Sequence, residues 1–198
     1  RWMKTRVASI RRKTRETDIS VCLNVDGKGV YSVKTGIPFM DHMLELFARH
    51  SLMDMTITAK GDVGVDYHHT VEDLGLVLGQ ALNKALRDRK GIRRYGWVLL
   101  PMDEALCQVA VDLGGRPYLV YRIAVKKRRI LDFDVRLVEE FLRALTVEAR
   151  MNLHIAHLYG QEPHHACESI FKGLARALRM ACEADVRDRR IPSSKGRL

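Results

Sequence analysis

The sequence predicts an α+β fold built from two duplicated half-domains, each a β-sheet with helices on one face, and the two halves are expected to pack through their helices. The first observation is a repeated motif: His-His-x-x-Glu begins at His68 and again at His164. The second is that the stretches upstream also correspond, with Phe47 matching Phe141. A repeat of this kind indicates a duplicated structural unit, and helices that alternate with strands in this way typically cover one face of a sheet.

The first half is predicted to run strand, turn, strand, helix, strand, loop, helix. Residues 8–36 are rich in strand-forming residues, and the Asp-Gly-Lys-Gly segment at 26–29 predicts a hairpin turn. Apolar residues at helical spacing predict a helix over 39–50. Residues 54–62 alternate like a strand, and the long amphipathic pattern of 68–89 predicts a second helix.

The second half repeats this order. Residues 110–121 correspond to residues 24–33 of the first half. Residues 132–149 are predicted to form a helix, 151–160 a strand and 164–186 the last helix. We therefore expect a single domain over residues 1–198. It would contain repeats at about 3–92 and 93–190 and a C-terminal substrate-binding tail at 191–198.

The composition bounds the class of protein. A chain of 198 residues can bury a sizeable core, and no apolar run approaches the roughly 20 residues of a membrane span. The basic N-terminus lacks the apolar segment of a secretory signal. Four widely spaced cysteines predict reduced thiols, so we expect a cytoplasmic protein without a membrane partner.

The net charge of +10 raises the question of nucleic-acid binding. The basic residues are scattered, however, and aromatic residues make up only 7% of the chain, so no stacking platform is interleaved with them. We therefore expect no nucleic-acid partner. Solvated faces and recognition of a small anionic substrate both remain open as explanations of the charge.

The repeated histidine motif predicts metal binding. Residues three and four apart share one face of a helix, so Glu72 lies next to both His68 and His69. The two imidazoles project roughly 100° apart, so one can serve a second ion. His42 and His154, the latter expected to end a strand, are natural additional ligands. Six histidines and two glutamates would form two sites of three imidazoles and one carboxylate, which suits Mn, Fe, Zn or Ni without distinguishing among them.

Basic residues at turns and element ends suggest anion recognition. Residues 91–97, 114–118, 171–173 and 191–198 each supply Lys or Arg, which bind phosphate oxygens well. Each could equally be a solvated surface residue. The Pro-Ser-Ser-Lys-Gly tail is typical of a segment that closes over a phosphate, and Glu16 could act as a base or bind a hydroxyl.

The chain resembles the imidazoleglycerol-phosphate dehydratase family of histidine biosynthesis. The resemblance rests on motifs that occur in the family's order along nearly the whole chain. These are RKTRET, DGKG, TGIPFMDHML, DYHHTVEDLGLVLGQAL, GIRRYGWVLLPMDEAL, VDLGGRPYLVY, LHIAHLYGQEPHHACESIFKGLARAL and IPSSKG.

The resemblance implies a fold, an assembly and a site. It implies a homo-oligomer of 24 subunits with active sites at subunit interfaces, a small phosphorylated imidazole substrate, and two Mn²⁺ per active site. The implied metal ligands are His42, His68, His69, Glu72, His154, His164, His165 and Glu168. The implied phosphate binders are Arg94, Arg116, Lys172, Ser193 and Lys195.

The implied catalytic residues are three glutamates. Glu16 would contact the glycerol hydroxyls of the substrate, and Glu72 or Glu168 would both bind metal and carry a proton. Leu46 departs from the family, where many members have a Gln that reaches the substrate, and Ser194 replaces the more usual Thr. The alternative to the dehydratase is a metal-binding protein without catalysis. A four-helix metal-storage fold disagrees with the strands between the helices.

Overall fold

The computed structural model describes residues 5–123, 125–196 and 198, and this part of the chain folds into four helices and ten strands. Positions 3 and 4 of the predicted first repeat lie outside the described residues, as does position 197 of the predicted tail. The elements are β1 (Val7–Lys13), β2 (Thr17–Asn24), β3 (Tyr31–Lys34), α1 (Pro38–Ser51), β4 (Asp54–Gly61), α2 (His68–Leu86), β5 (Tyr95–Met102), β6 (Ala105–Asp112), β7 (Tyr118–Arg122), β8 (Arg129–Ile130), β9 (Phe133–Asp134), α3 (Leu137–Ala149), β10 (Asn152–Tyr159) and α4 (Pro163–Cys182).

Both halves form a four-stranded sheet with the same topology. The first sheet has the order β1-β2-β4-β3 and the second has the order β5-β6-β10-β7. In each sheet the last strand, β3 or β7, pairs parallel to its neighbour, while the other pairs are antiparallel. The identical order, including the unusual parallel edge strand, confirms the predicted α+β class and the duplication.

The hairpin predicted at residues 26–29 is wrong. β2 pairs with β1 on one side and with β4 on the other, so it has no free edge for β3. The segment instead carries the chain past the start of β4 to the far edge of the sheet. The carboxylate of Asp54 holds it there, because Oδ1 accepts hydrogen bonds from the backbone N–H groups of Lys28 at 2.8 Å and Val30 at 3.0 Å.

The third helix begins later than the sequence predicts. Residues 132–136 do not continue α3. Phe133–Asp134 is the short strand β9, which pairs with β8. The Asp134 carboxylate then accepts a hydrogen bond from the backbone N–H of Arg136 at 2.9 Å, just before the helix begins at Leu137. This small hairpin has no counterpart among the described residues of the first half, so the repeat could not predict it.

The helices lie between the two sheets and join the halves. α2 packs on β1 and β2 of its own sheet and along α3, and α4 packs on β5 and β6 and along α1. Gly75 allows the close approach of α2 to α3, because a Cβ atom there would lie 2.4 Å from the carbonyl oxygen of Phe141. The halves therefore pack through their helices as predicted.

A buried arginine also ties the two halves together. Arg89 follows α2 and is only 4% exposed. Its guanidinium donates to the carbonyl oxygens of Leu113 (2.8 Å), Ala149 (2.7 Å) and Arg150 (2.8 Å), which belong to the second half. It also donates to Asn83 Oδ1 at 2.8 Å. One side chain of the first half thus satisfies carbonyl groups left open at the end of α3.

The outer faces of the two sheets differ in chemistry. The first sheet presents mainly polar residues such as Thr56 and Thr58. The second sheet presents Trp97, Leu99 and Tyr118, which are 64%, 57% and 64% exposed. We call this second surface the aromatic face. In the described part of the chain, no helix is both long and apolar enough to span a membrane.

Candidate metal centre

One group of side chains has the geometry of a metal site. His42 of α1 and His164 of α4 both direct Nε2 at Glu168 Oε1, at 3.2 Å and 3.0 Å. Within the described residues this is the only group of three or more His, Cys, Asp or Glu that could share an ion. His164 and Glu168 are four residues apart on α4 and so share a face, while His42 comes from the other half of the chain.

Glu168 is held as an anion at the centre of this group. Its burial raises the pKa, but hydrogen bonds from Lys172, His42 and His164, together with the positive charge of Lys172, outweigh that effect and lower the pKa to about 2. Lys172 Nζ lies 2.6 Å from Glu168 Oε2. The carboxylate of Glu168 is therefore ionised, and its Oε1, which faces the two imidazoles, is available as a ligand atom.

The corresponding motif of the first half forms a separate, looser group. His68 Nε2 lies 3.6 Å from Glu72 Oε2, and no third ligand of this chain completes a site there among the described residues. The structure thus brings His42, His164 and Glu168 together, and it leaves His68 beside Glu72 as a separate pair.

The second histidine of each pair is held by a carboxylate through Nδ1. His69 Nδ1 lies 2.9 Å from Asp62 Oδ2, and His165 Nδ1 lies 2.6 Å from Glu104 Oε2. These hydrogen bonds raise the pKa of both imidazoles, and the bond from His165 lowers the pKa of Glu104 to about 2. In both rings Nε2 is left as the nitrogen that can face an ion.

His154 lies apart from both motifs. It is the third residue of β10, so the expectation that it ends a strand is wrong. Its neighbours Leu153 and Ile155 are buried against the helices, whereas His154 is exposed on the aromatic face, with its ring 6.4 Å from that of Tyr118.

The predicted phosphate binders fall into two places. Arg94 donates two hydrogen bonds to Asp112, at 2.7 Å and 3.1 Å, and one to the carbonyl oxygen of Pro192 at 2.8 Å. Arg94 therefore anchors the tail that carries Ser193 and Lys195. The tail also passes Gly115, next to Arg116. Lys172 lies elsewhere, beside Glu168 of the His42–His164–Glu168 cluster.

Glu16 lies near the first motif. It ends the β1–β2 turn, and its Oε2 is 3.9 Å from His69 Nδ1. The turn is fixed to α2 by Asp73, whose Oδ2 accepts hydrogen bonds from Arg12 and from the Thr17 hydroxyl, both at 2.5 Å. Leu46 packs against the core.

Sequence reasoning missed Asp62 and Asp73, and it left Glu104 open as either a site carboxylate or a contact within the fold. Asp62 and Asp73 carry no motif signal of their own, because their partners come from separate elements. Glu104 did have a signal: it directly precedes β6, just as Glu16 directly precedes β2.

Comparison with known proteins identifies the family. Residues 35–178 match the family described as imidazoleglycerol-phosphate dehydratase. The chain belongs to this family. Relatives named imidazoleglycerol-phosphate dehydratase include those of Methylorubrum extorquens, 53% identical, and Geobacter metallireducens, 50% identical. Each similarity covers 98% of this chain and 100% of the relative.

Solved structures of imidazoleglycerol-phosphate dehydratases share the fold. The Staphylococcus aureus enzyme matches with a TM-score of 0.82 and 39% identity, over 90% of this chain and 99% of that one. The Pyrococcus furiosus enzyme, in complex with (S)-C348, matches with a TM-score of 0.83 and 39% identity, over 96% of this chain and 100% of that one. The predicted resemblance to the dehydratase family is confirmed.

The donor set of the His42–His164–Glu168 cluster fits a divalent transition metal. Two imidazole nitrogens converge on one ionised carboxylate oxygen, and imidazole-rich sites with an oxygen donor suit Mn, Fe, Zn or Ni. The cluster and the family together support metal use.

Proposed function

We propose that this protein removes water from D-erythro-1-(imidazol-4-yl)glycerol 3-phosphate to give 3-(imidazol-4-yl)-2-oxopropyl phosphate, a step of histidine biosynthesis. The observation that carries the proposal is the convergence of His42, His164 and Glu168, in a chain that matches dehydratases along almost its whole length. Two imidazole nitrogens and a carboxylate oxygen that meet at one point form a donor set that suits a divalent transition metal.

The substrate and product define what the site must do. The carbon beside the imidazole loses its hydroxyl group as the C–O bond breaks. The next carbon loses its proton, and the enol that results rearranges to the ketone, so that one water leaves in total. The site must therefore hold the imidazole ring, hold the phosphate, and take up a proton from a carbon that is not acidic by itself.

We propose two Mn²⁺ per active site, and other divalent transition metals would also fit the ligands. When bound, such ions act as Lewis acids and as a template for the imidazole ring. The proposed ligands are His42, His68, His69, Glu72, His154, His164, His165 and Glu168.

The three glutamates have different proposed roles. Glu168 is a ligand, because a carboxylate whose pKa is about 2 is a weak base at neutral pH. Glu72 is about half exposed and its Oε2 lies 3.6 Å from His68 Nε2, and we propose it as the glutamate that carries the proton. Glu16, exposed beside His69, binds the glycerol hydroxyls of the substrate.

We propose that the phosphate of the substrate is bound by Arg94, Arg116, Ser193 and Lys195, together with Lys172, which lies apart from these residues within one chain. Two of the five guanidinium N–H groups of Arg94 remain after its bonds to Asp112 and Pro192. Binding a phosphate that is remote from the reacting carbons orients the substrate. Phosphate binding would also give a function to part of the positive charge of the chain.

We further propose that subunits share the active sites of a homo-oligomer, with 24 subunits as the family resemblance implies. The two motifs form separate groups within one chain, and His154 lies on the aromatic face, where it can serve a site of another copy. A large exposed apolar surface supports a protein interface.

Removal of metal tests the proposal. Chelator-treated protein is expected to lose turnover, followed as the ketone product by mass spectrometry, and to regain it with added Mn²⁺. The variants Glu72→Ala and His165→Ala should lose both bound metal and turnover. Glu139→Ala, which removes an exposed carboxylate paired with Arg143, is the matched control and should retain both.

Two outcomes would contradict the proposal. Full turnover in a preparation shown by elemental analysis to be free of metal would exclude the metal mechanism. Bound metal without any turnover of the imidazole substrate would favour the non-catalytic metal-binding protein.

A further inference from the structure

The two halves carry a glutamate at the same point of their first hairpin. Glu16 directly precedes β2, and Glu104 directly precedes β6. Both lie next to the second histidine of the motif in their own half: Glu16 beside His69 and Glu104 beside His165. Each half therefore has a glutamate at an equivalent position whose carboxylate lies near Nδ1 of this histidine.

In the second half both carboxylate oxygens of this glutamate accept hydrogen bonds, one of them from the histidine ring. Glu104 Oε2 accepts a hydrogen bond from His165 Nδ1 at 2.6 Å, and Oε1 accepts one from the backbone N–H of Glu162 at 3.0 Å. With both oxygens engaged, the carboxylate has a fixed direction. Because Glu104 accepts this hydrogen bond, Nδ1 carries a proton, and Nε2 is the ring nitrogen that points away from Glu104.

In the first half an aspartate, and not the equivalent glutamate, makes the hydrogen bond to Nδ1 of the histidine. Asp62, which follows β4, lies 2.9 Å from His69 Nδ1, whereas Glu16 stays 3.9 Å from the same atom. The second oxygen of Asp62, Oδ1, is buried and has no hydrogen-bond partner among the described residues. A buried unpaired carboxylate oxygen lowers stability, so a purely structural contact does not explain this aspartate.

We propose that Glu104 and Asp62 are positioning residues that fix the Nδ1-protonated form of His165 and His69 and so direct Nε2 of each ring to the metal, and that Asp62 leaves Glu16 free for the substrate. This inference rests on the proposed metal-dependent function. Hydrogen bonding of the non-ligating nitrogen is the common means by which proteins orient metal-binding histidines.

The two halves should respond differently when the positioning carboxylate is removed. Glu16 lies close enough to take over the His69 contact if Asp62 is lost. Among the described residues of the second half, no carboxylate is placed to do the same, because Asp103 lies 3.6 Å from His165 Nε2 and not beside Nδ1.

The first measurement is the Mn²⁺ affinity of Glu104→Gln and Asp62→Asn in the otherwise intact protein, with the visible spectrum of the Co²⁺-loaded protein as a probe of ligand geometry. We expect Glu104→Gln to weaken Mn²⁺ binding by about 10–100-fold and to change the Co²⁺ spectrum. Asp62→Asn should weaken binding less, but it should raise KM because Glu16 is drawn to His69. Adding Glu16→Gln to Asp62→Asn should then bring the loss of Mn²⁺ affinity to the level of Glu104→Gln.

Matched controls come from the residues two positions before each histidine pair. The carboxylates of Asp66 and Glu162 accept the backbone N–H groups of His68 and His164 and do not contact a ring nitrogen. Asp66→Asn and Glu162→Gln remove the same charge from the same neighbourhood and should leave Mn²⁺ affinity within about threefold. An equal loss in these controls would overturn the inference in favour of a general charge effect.

The outcomes separate this inference from the proposed function. Wild-type protein that binds no divalent metal would refute the proposed function itself. Wild-type protein that binds Mn²⁺, together with a Glu104→Gln variant of unchanged affinity and Co²⁺ spectrum, would refute only the positioning role.

Discussion

Glu168 combines burial with full ionisation, and its neighbours explain how. Three cationic or hydrogen-bonding side chains, Lys172, His42 and His164, surround its two oxygens. Lys172 takes Oε2 and leaves Oε1 facing the two imidazoles. A residue proposed to bind phosphate therefore also sets the charge of a proposed metal ligand.

Replacement of Lys172 tests this coupling in chelator-treated protein. The pKa of Glu168 is about 2 in the folded protein against 4.5 for an ordinary glutamate. Its ionised form thus stabilises the fold above about pH 4.5, and this contribution is lost as the pH falls toward about 2. Lys172→Met should raise the pKa of Glu168 and lower the free energy of unfolding at pH 7 by about 1–3 kcal/mol.

Urea unfolding at pH 7 and pH 3 measures the effect. The loss of stability between the two pH values should be smaller in Lys172→Met than in wild-type protein. Lys84→Met, which removes an exposed lysine from α2, serves as the control. An unchanged pH dependence in Lys172→Met would show that Lys172 does not set the pKa of Glu168.

The contact between α2 and α3 depends on the absence of side chains at two positions of α2. A Cβ atom at Gly75 would lie 2.4 Å from the Phe141 carbonyl oxygen, and one at Gly79 would lie 2.8 Å from that of Leu145. Glycine normally weakens a helix by about 1 kcal/mol relative to alanine. Here the close packing of the two helices reverses that preference.

We expect Gly75→Ala to destabilise the protein by about 1–3 kcal/mol, because the backbone of α3 must move to accept the methyl group. Gly64→Ala is the control, since a Cβ atom at Gly64 meets nothing within 4 Å. Thermal or urea unfolding compares the two. An increase in stability for Gly75→Ala would mean that helix propensity outweighs the packing.

The sequence predicted the elements better than their connections. Helix periodicity located α1, α2 and α4, and the repeat predicted the equivalence of the halves. The turn at residues 26–29 was misassigned, because a local turn signal does not reveal that β2 is already paired on both edges. Within the site, the contacts of Asp62 with His69 and of Glu104 with His165 could not be assigned, since hydrogen bonds between separate elements depend on three-dimensional position.

At the scale of the whole molecule, the two sheets have similar topology but different outer surfaces. The polar outer face of the first sheet suits solvent. The aromatic face of the second sheet exposes Trp97 and Tyr118 around His154. A duplicated fold has thus kept its internal symmetry while its two outer surfaces have diverged.

A charge on the aromatic face tests whether it joins subunits. Trp97→Asp is expected to reduce the number of subunits per particle, measured by light scattering. It should also reduce Mn²⁺ bound per chain, because His154 can no longer reach a site of another copy. Thr58→Asp places the same charge on the polar sheet and should change neither. A Trp97→Asp variant of unchanged size would contradict the proposed interface.

The hydrogen bonds of Arg89 make the two halves of the chain depend on each other for stability. Each half has the outline of an independent unit, yet the carbonyl groups of Leu113, Ala149 and Arg150 are satisfied by a residue of the other half. A second-half fragment made alone would leave these carbonyls without their donor and the apolar sides of its helices uncovered. A single half is therefore expected to need a second copy to cover these surfaces, and in this chain the other half covers them.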